Sequence, residues 1–331
     1  MTWVLGIESS CDETAAALWH APTRRFTEAL ARQLATHAPY GGVVPELASR
    51  CHLETLSPLV HAVCRDAGIQ LRDVDAIAAT AGPGLAGALI VGVSYAKALA
   101  AALRKPFVAV NHIEAHMFAA CAEADVPFPF LALVVSGGHT LLADVEDVCR
   151  YRIIGRTRDD AAGEAFDKGA KLLGLGYPGG VALSRLAQQG NPRAIPFPRA
   201  LNRRDVFDFS FSGLKTALFY FLQEHPDTPR EDIAASYQEA IVDALARKTI
   251  AAARHLQRAA IILGGGVSAN SALRERLTHD SRRHALQVVL PSMPLCTDNA
   301  RMIAYRGATL LAARGADPLT ADIFPSFRIT C

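Results

Sequence analysis

The sequence predicts a two-lobed α/β fold, and three observations carry that expectation. At 331 residues the chain exceeds what one hydrophobic core usually serves. A pattern of strand, tight turn and strand, followed by βαβ units, occurs twice, first in TWVLGIESSCDETAAALW and again in FLALVVSGGHTLLADV. Apolar runs of strand length alternate with helix-periodic segments, which is the mark of mostly parallel sheets covered by helices. Two similar lobes with a cleft between them follow, and ligands in such folds sit at strand ends.

The elements are expected in this order. TWVLGIESS and TAAALW are strands joined through CDE, and a third strand lies near 25–34. VPELASRCHLETLSPLVHAVCRDAG (44–68) spaces its apolar residues helically and stops at Gly68. VDAIAATA (74–81) reads as a buried strand, LAGALIVGVSYAKALAAAL (85–103) as a buried helix, and PFVAVN (106–111) as the next strand. Ser94, Tyr95 and Lys97 interrupt the apolar helix, so a membrane span is not expected there. The second cycle begins at 130–145, followed by a helical, loop-rich section over 160–257. AAIILGGGVSAN (259–270) is a strand entering a glycine turn, SALRERLTHD a helix, LQVVLPS a strand, and 298–314 a final helix. The first lobe is therefore expected over 1–125, completed by the segment at about 298–331. The second is expected over 126–297, with a helical insertion at about 156–257.

Composition narrows the class. Hydrophobic residues make up 50% of the chain and charged ones 20%, the balance of a well-folded globular protein. A net charge of +2 permits an anionic ligand or RNA without demanding either. The seven cysteines are scattered without a Cys-x-x-Cys pair, which suits reduced thiols packed as small hydrophobes. MTWVLGIE lacks a basic leader and a cleavage site, so a cytoplasmic protein is expected, with no membrane partner.

Several motifs offer chemistry, each with a bland counterpart. NHIEAHM (111–117) puts His112 and His116 one helical turn apart. A zinc-protease helix reads His-Glu-x-x-His, whereas Glu114 stands two places after His112, about 100° from that position. Asp298, just after the last strand, could complete two histidines and a carboxylate, a set that suits Fe(II) or catalytic zinc. SGGH (136–139) is either a glycine turn or a bare-backbone anion site. In GGGVSAN (264–270), three glycines after a buried strand would let a flat ligand lie on the backbone, and Asn270 could meet a ligand or simply cap a helix. GPGLAG (82–87) matches G-x-G-x-x-G but is not the first βα turn, and no acid ends the next strand, which argues against a dinucleotide site. SGLKT lacks the Walker pattern. In RTRDDAAGEAFDKGAKLLGLGYPGG (156–180), Asp159, Asp160 and Glu164 suit a helix start. Asp167, two turns after Asp160 on what reads as one face, could meet a ligand hydroxyl.

Together the segments GIESSCDETAAAL, YGGVVPELASR, AGPGLAGAL, NHIEAH, VSGGHT, DDAAGEAFDKGAKLLGLGYPGG, FSFSGLKTA, GGGVSAN and CTDNARMIAY resemble the TsaD family, older names Gcp and YgjD. The resemblance implies the actin/Hsp70/sugar-kinase-like (ASKHA) fold, with duplicated RNase H-like lobes around a cleft. It implies transfer of threonylcarbamoyl from threonylcarbamoyl-AMP to the N6 amine of adenosine 37 in tRNAs reading ANN codons. It places a metal, usually iron as Fe(2+), with zinc the alternative, on His112, His116 and Asp298. Adenylate contacts would fall on Val135, Ser136, Gly137, Gly138, His139, Asp167, Gly180 and Asn270, and catalytic acids on Asp12 and Glu13. A TsaB-like paralogue and a TsaE-like ATPase are the implied partners, and the helices at 44–68 and 85–103 offer apolar surface for pairing. FPSFRITC departs from the Arg-Pro-Arg-Trp ending common in bacterial members, which puts tail-mediated contacts in question. Arg203-Arg204 and Arg282-Arg283 are basic pairs that tRNA could use, although solvated charge explains them equally. The rival functions are a metalloendopeptidase, a sugar kinase and a nucleotide-gated partner module.

Overall fold

A computed structural model describes residues 2–40, 42–176, 178–203 and 206–326. Arg204, Tyr177 of YPGG and the 327–331 end of the tail lie outside the described residues. Along the chain run β1 (Trp3–Glu8), β2 (Glu13–His20), β3 (Arg25–Arg32), α1 (Leu34–His37), α2 (Pro45–Asp66), β4 (Ala76–Gly82), α3 (Ala86–Leu103), β5 (Phe107–Asn111) and α4 (His112–Phe118). There follow β6 (Phe130–Val135), β7 (Thr140–Val145), β8 (Tyr151–Arg156), α5 (Ala162–Leu172), α6 (Gly179–Ala187), α7 (Ser212–Glu224) and α8 (Arg230–His255). The chain closes with β9 (Ala260–Gly264), α9 (Ser271–Arg282), β10 (Gln287–Val289), α10 (Met293–Cys296) and α11 (Ala300–Arg314).

Two units divide these elements, one up to Asp125 and again from Asp298, the other from Val126 to Thr297. The first unit's sheet has the order β3-β2-β1-β4-β5 and the second's is β8-β7-β6-β9-β10. In each, a central strand pairs antiparallel with the next strand and parallel with a later one: β1 with β2 and β4, β6 with β7 and β9. The repeated order is the duplication the sequence predicts, and the two-cycle α/β class is the fold found. Edge strand β8 was not expected; its residues are mostly half-exposed, so no apolar run announces it.

The first core gathers Leu5, Ile7, Leu18, Val60, Val63, Ile77 and Phe107. Helix α11 returns to this unit because Gly6 lets it lie on β1; a Cβ there would stand 2.4 Å from the Ala304 nitrogen. The second core joins β6 and β9 to the helices through Leu133, Phe166, Tyr237 and Leu263. Helix α3 is long and apolar enough to cross a membrane by length and composition. It is less buried than expected: Ala88, Leu89, Gly92, Val93, Ala96 and Ala100 form its buried face, while Ile90 is 52% exposed. The G-x-G-x-x-G glycines at its start serve packing. A Cβ on Gly82, Gly84 or Gly87 would run into Phe324, Ser10 or Ser49 respectively.

Candidate active site

In the first unit, the parallel strands β1, β4 and β5 deliver their carboxyl ends to one edge of the sheet. Asn111 ends β5 and caps α4, its side-chain oxygen accepting from the Ile113 and Glu114 amides at 2.9 and 3.2 Å. The helix therefore starts abruptly, with His112 first and His116 one turn on, their rings edge-to-face at 4.8 Å. Asn299 caps α11 in the same way, accepting from Met302, and so fixes Asp298 just before that helix. One Asp298 carboxylate oxygen lies 3.3 Å from His112 Nε2 and 3.1 Å from His116 Nε2. One ligand atom from each of the three residues falls within 4.8 Å of the others. Two buried imidazole nitrogens and a carboxylate oxygen at that spacing fit a divalent transition metal with open positions.

Glu114 does not join this set. It turns away to receive Arg306 Nη2 at 2.8 Å, both side chains wholly buried, and the guanidinium lies 4.1 Å from the Phe118 ring centre. The acid between the histidines thus locks α4 onto α11, which removes it as a protease base.

Behind His112 stands Glu8, the last residue of β1 and fully buried. Its Oε1 accepts the Ser10 amide at 2.6 Å; its Oε2 accepts the Thr80 hydroxyl at 2.7 Å and faces His112 Nδ1 at 2.9 Å. Burial works against charge on His112, but Asp298 and Glu8 on either side hold it protonated, well above the usual histidine range. Burial would likewise raise Asp298, yet the adjacent His112 and His116 keep its carboxyl well below the usual range. For His116 burial wins, and its imidazole is kept neutral.

The β1–β2 turn carries Cys11, Asp12 and Glu13. Burial first, then the charges of Asp298 and Asp12, push the Glu13 carboxyl up to about 8. Asp12 lends its carbonyl to the Gln33 amide at 3.2 Å. Beneath the turn, His52 of α2 gives Nε2–H to the Cys11 carbonyl at 2.9 Å, leaving Nδ1 to accept from the Thr14 hydroxyl at 2.7 Å. The carbonyl can only accept, so this tautomer is fixed.

The second unit presents a different edge. Ser136 and His139 close the β6–β7 turn, with Ser136 N–H donating to the His139 carbonyl at 2.8 Å and His139 N–H to Ser136 Oγ at 3.1 Å. A Cβ on Gly137 or Gly138 would meet nothing within 4 Å, and neither glycine has the positive φ that the turn explanation requires. The space above them is open. Gly163 brings the start of α5 against the same turn, its amide donating to the Ser136 carbonyl at 3.2 Å. Val135 ends β6, and its carbonyl would lie 2.5 Å from a Cβ on Gly265, whose φ is +86°. Gly265 therefore serves close backbone packing in the fold.

Asp167 accepts the Gly180 amide at 3.0 Å at the start of α6, and burial raises its carboxyl despite that bond. Asp160 does not share its face: it precedes α5 and pairs with Lys168 at 2.7 Å. Asp159 leaves α5 altogether and receives the Phe211 and Ser212 amides at the start of α7. Asn270 caps α9 through Leu273, and its amide hydrogens go to Ser184 and Gln238 at 2.8 and 2.9 Å. The bland reading of this residue is thus part of what it does. The structure groups Val135, Ser136, Gly137, Gly138 and His139 at one turn, and ties Asp167, Gly180 and Asn270 together through α6.

A family model described as tRNA N6-adenosine threonylcarbamoyltransferase, TsaD, matches residues 26–305. The chain belongs to the TsaD family. It is 52% identical over 336 residues to a protein of that name from Anaeromyxobacter dehalogenans (strain 2CP-C), covering 99% of this chain and 100% of the relative. A relative of the same name from Syntrophotalea carbinolica is 51% identical over 314 residues, 93% of this chain and 92% of that one. Among solved structures, full-length HypF in its phosphate- and nucleotide-bound form matches with a TM-score of 0.64 and 13% identity, over 96% of this chain and 47% of HypF. That likeness shows the fold alone. Within the family frame, Glu8, His52 and Arg306 are the residues sequence reasoning passed over. An acid closing the apolar strand WVLGIE was the one visible signal, because a buried charge needs a reason.

Proposed function

We propose that the chain transfers the threonylcarbamoyl group from threonylcarbamoyl-AMP to the N6 amine of adenosine 37 in tRNAs reading ANN codons. The observation that carries this reading is the convergence of His112, His116 and Asp298 beside an acid, Glu13, whose pKa is tuned to about 8. Iron as Fe(2+), or zinc, would be held by those three residues; when bound, it supplies Lewis-acid polarisation of a carbonyl or phosphate oxygen.

The chain's own residues account for the rest. The N6 amine attacks the carbamoyl carbon, the bond from that carbon to the phosphate oxygen breaks, and AMP leaves. An aromatic amine is a weak nucleophile, so orientation contributes heavily. Glu13 takes the amine proton, since a carboxylate near neutrality is matched to that task; Asp12 stands beside it, and His52 holds their turn through the Cys11 carbonyl. In the second unit the open backbone of Gly137 and Gly138, with Val135, Ser136 and His139, receives the adenylate. Asp167 and Gly180 bind its polar edges, and Asn270 steadies α6, which carries Gly180. A peptidase reading is disfavoured because Glu114 is committed to Arg306.

The reaction is cytoplasmic in this reading and depends on partners. A charge of +2 provides little of the basic face that tight tRNA binding needs. A TsaB-like paralogue and a TsaE-like ATPase would supply the remainder, with Leu53 on α2 and Ile90 on α3 exposed for pairing. The test is incubation with threonine, bicarbonate, ATP, an adenylate synthase, the two partners and tRNA, followed by mass analysis of the nucleosides. Threonylcarbamoyladenosine should appear only with the chain present. Its formation at the full rate from the chain without the TsaB-like and TsaE-like proteins would overturn the partner reading.

A further inference from the structure

We infer that Glu8 is a positioning residue that sets the His112 tautomer and supplies the second negative charge of the metal centre. The inference rests on the reading of His112, His116 and Asp298 as metal ligands. Glu8 is wholly buried, and both carboxylate oxygens are held: Oε1 by the Ser10 amide at 2.6 Å, Oε2 by the Thr80 hydroxyl at 2.7 Å. The carboxylate cannot swing, so its approach to His112 Nδ1 at 2.9 Å is fixed by the ends of β1 and β4. A carboxylate accepts, hence Nδ1 keeps its hydrogen, and it is the Nε2 proton, on the nitrogen facing Asp298, that an incoming metal displaces to free a lone pair. His116 lacks such a device: its buried Nδ1 has no hydrogen-bond partner among the described residues. Orientation of the histidine pair therefore enters on one side, at His112 Nδ1, where Glu8 at 2.9 Å is the nearer partner and the Ser10 hydroxyl lies at 3.3 Å.

Charge points the same way. Once ligation has made both imidazoles neutral, the three ligands offer a single negative charge, half of what a divalent cation needs in a buried setting. Glu8 brings the total to two without entering the ligand set. An unbalanced charge in such surroundings is costly, so Glu8 raises affinity for a doubly charged ion by neutrality as well as by geometry. Replacement by glutamine breaks both contributions. Its amide must turn an N–H toward either the Ser10 amide or His112 Nδ1, and the latter moves the imidazole hydrogen to the ligating Nε2.

The experiment is metal titration of the metal-free full chain with Co(2+) and Zn(2+), read by cobalt visible absorption and by competition with a chromophoric chelator. Far-UV circular dichroism establishes that each metal-free variant is folded. Glu8→Gln is expected to bind about 10- to 100-fold more weakly than wild type, with a changed cobalt spectrum, and His112→Ala to lose the site. A purely structural Glu8 would lower thermal stability and leave the affinity of the folded protein unchanged. Equal affinities for wild type and Glu8→Gln, with His112→Ala defective, overturn this inference and leave the metal reading standing. Equal binding by wild type and His112→Ala removes the metal reading, and this inference with it. If Glu8→Gln does not fold, Thr80→Val releases one carboxylate oxygen without touching the charge; a several-fold loss supports the inference, and unchanged affinity overturns it.

Discussion

The two units carry the same strand order, yet the turn after the central strand differs in kind. In the first, β1 runs through Glu8 into Ser-Ser-Cys-Asp-Glu, and the buried Glu8 and half-buried Glu13 stand with His112, His116 and Asp298 at the strand ends. In the second, β6 runs into Ser-Gly-Gly-His, where open backbone takes the place of carboxylates. The repeated topology fixes where a site can be, since parallel strands deliver their carboxyl ends and the following helix starts to one edge. Side chains decide what the site attracts: positive charge in the first unit, and a phosphate-bearing ligand in the second as we read it.

That contrast can be broken from the first unit most forcefully. His112→Ala should abolish bound metal, as measured by elemental analysis of purified protein, while circular dichroism remains that of a folded chain. Next in size is the scaffold beneath it. Arg306→Ala leaves Glu114 as an uncompensated buried charge and should cost about 3–5 kcal/mol in denaturant unfolding; a loss below about 1 kcal/mol would mean the pair does not lock α4.

The second unit gives a sharper internal contrast between two of its glycines. Gly138→Ala has room and should leave stability within about 0.5 kcal/mol, while weakening binding of a non-hydrolysable adenylate analogue in calorimetry. Gly265→Ala should destabilise instead, because φ is +86° and the Val135 carbonyl is 2.5 Å away. If both variants behave alike, the division between ligand-facing and packing glycines fails.

A pH-dependent effect concerns Glu13. Its folded-state pKa of about 8 lies above the ordinary value of 4.5, so the folded state binds this proton more tightly than the unfolded one. The stabilisation is fully present below about 4.5 and is lost as pH rises through about 8. In metal-free protein, Glu13→Gln should therefore match wild type in melting temperature near pH 4.5 and exceed it increasingly towards pH 8.5. A difference that does not grow with pH would show that Glu13 is not the perturbed acid.

Much of this was legible in the chain itself. The repeated strand–turn–strand pattern announced the duplicated fold, because apolar periodicity and glycine turns are local signals. The i,i+4 histidines announced a shared helical face, whereas Asn111 read only as a strand end and its cap role emerges in the fold. What local spacing cannot carry is orientation. Asp160 and Asp167 looked like one face because a helix was assumed to include both, whereas α5 begins at Ala162. Gly265 looked ligand-facing because the neighbour it avoids, Val135, lies 130 residues earlier in the chain. Glu8 stood in plain view inside an apolar strand, but its partners Thr80 and His112 come from β4 and α4, and only the folded sheet assembles them.

The central claim is that this chain carries the transfer and that its first unit's metal-ligand set is essential to it. Mass analysis of nucleosides from tRNA, treated with threonine, bicarbonate, ATP, adenylate synthase, partner proteins and either wild-type chain or His112→Ala, tests it most directly. The account predicts threonylcarbamoyladenosine with the wild type and none above background with the variant. Equal product from both, or none from the wild type where a known member of the family is active, would contradict it.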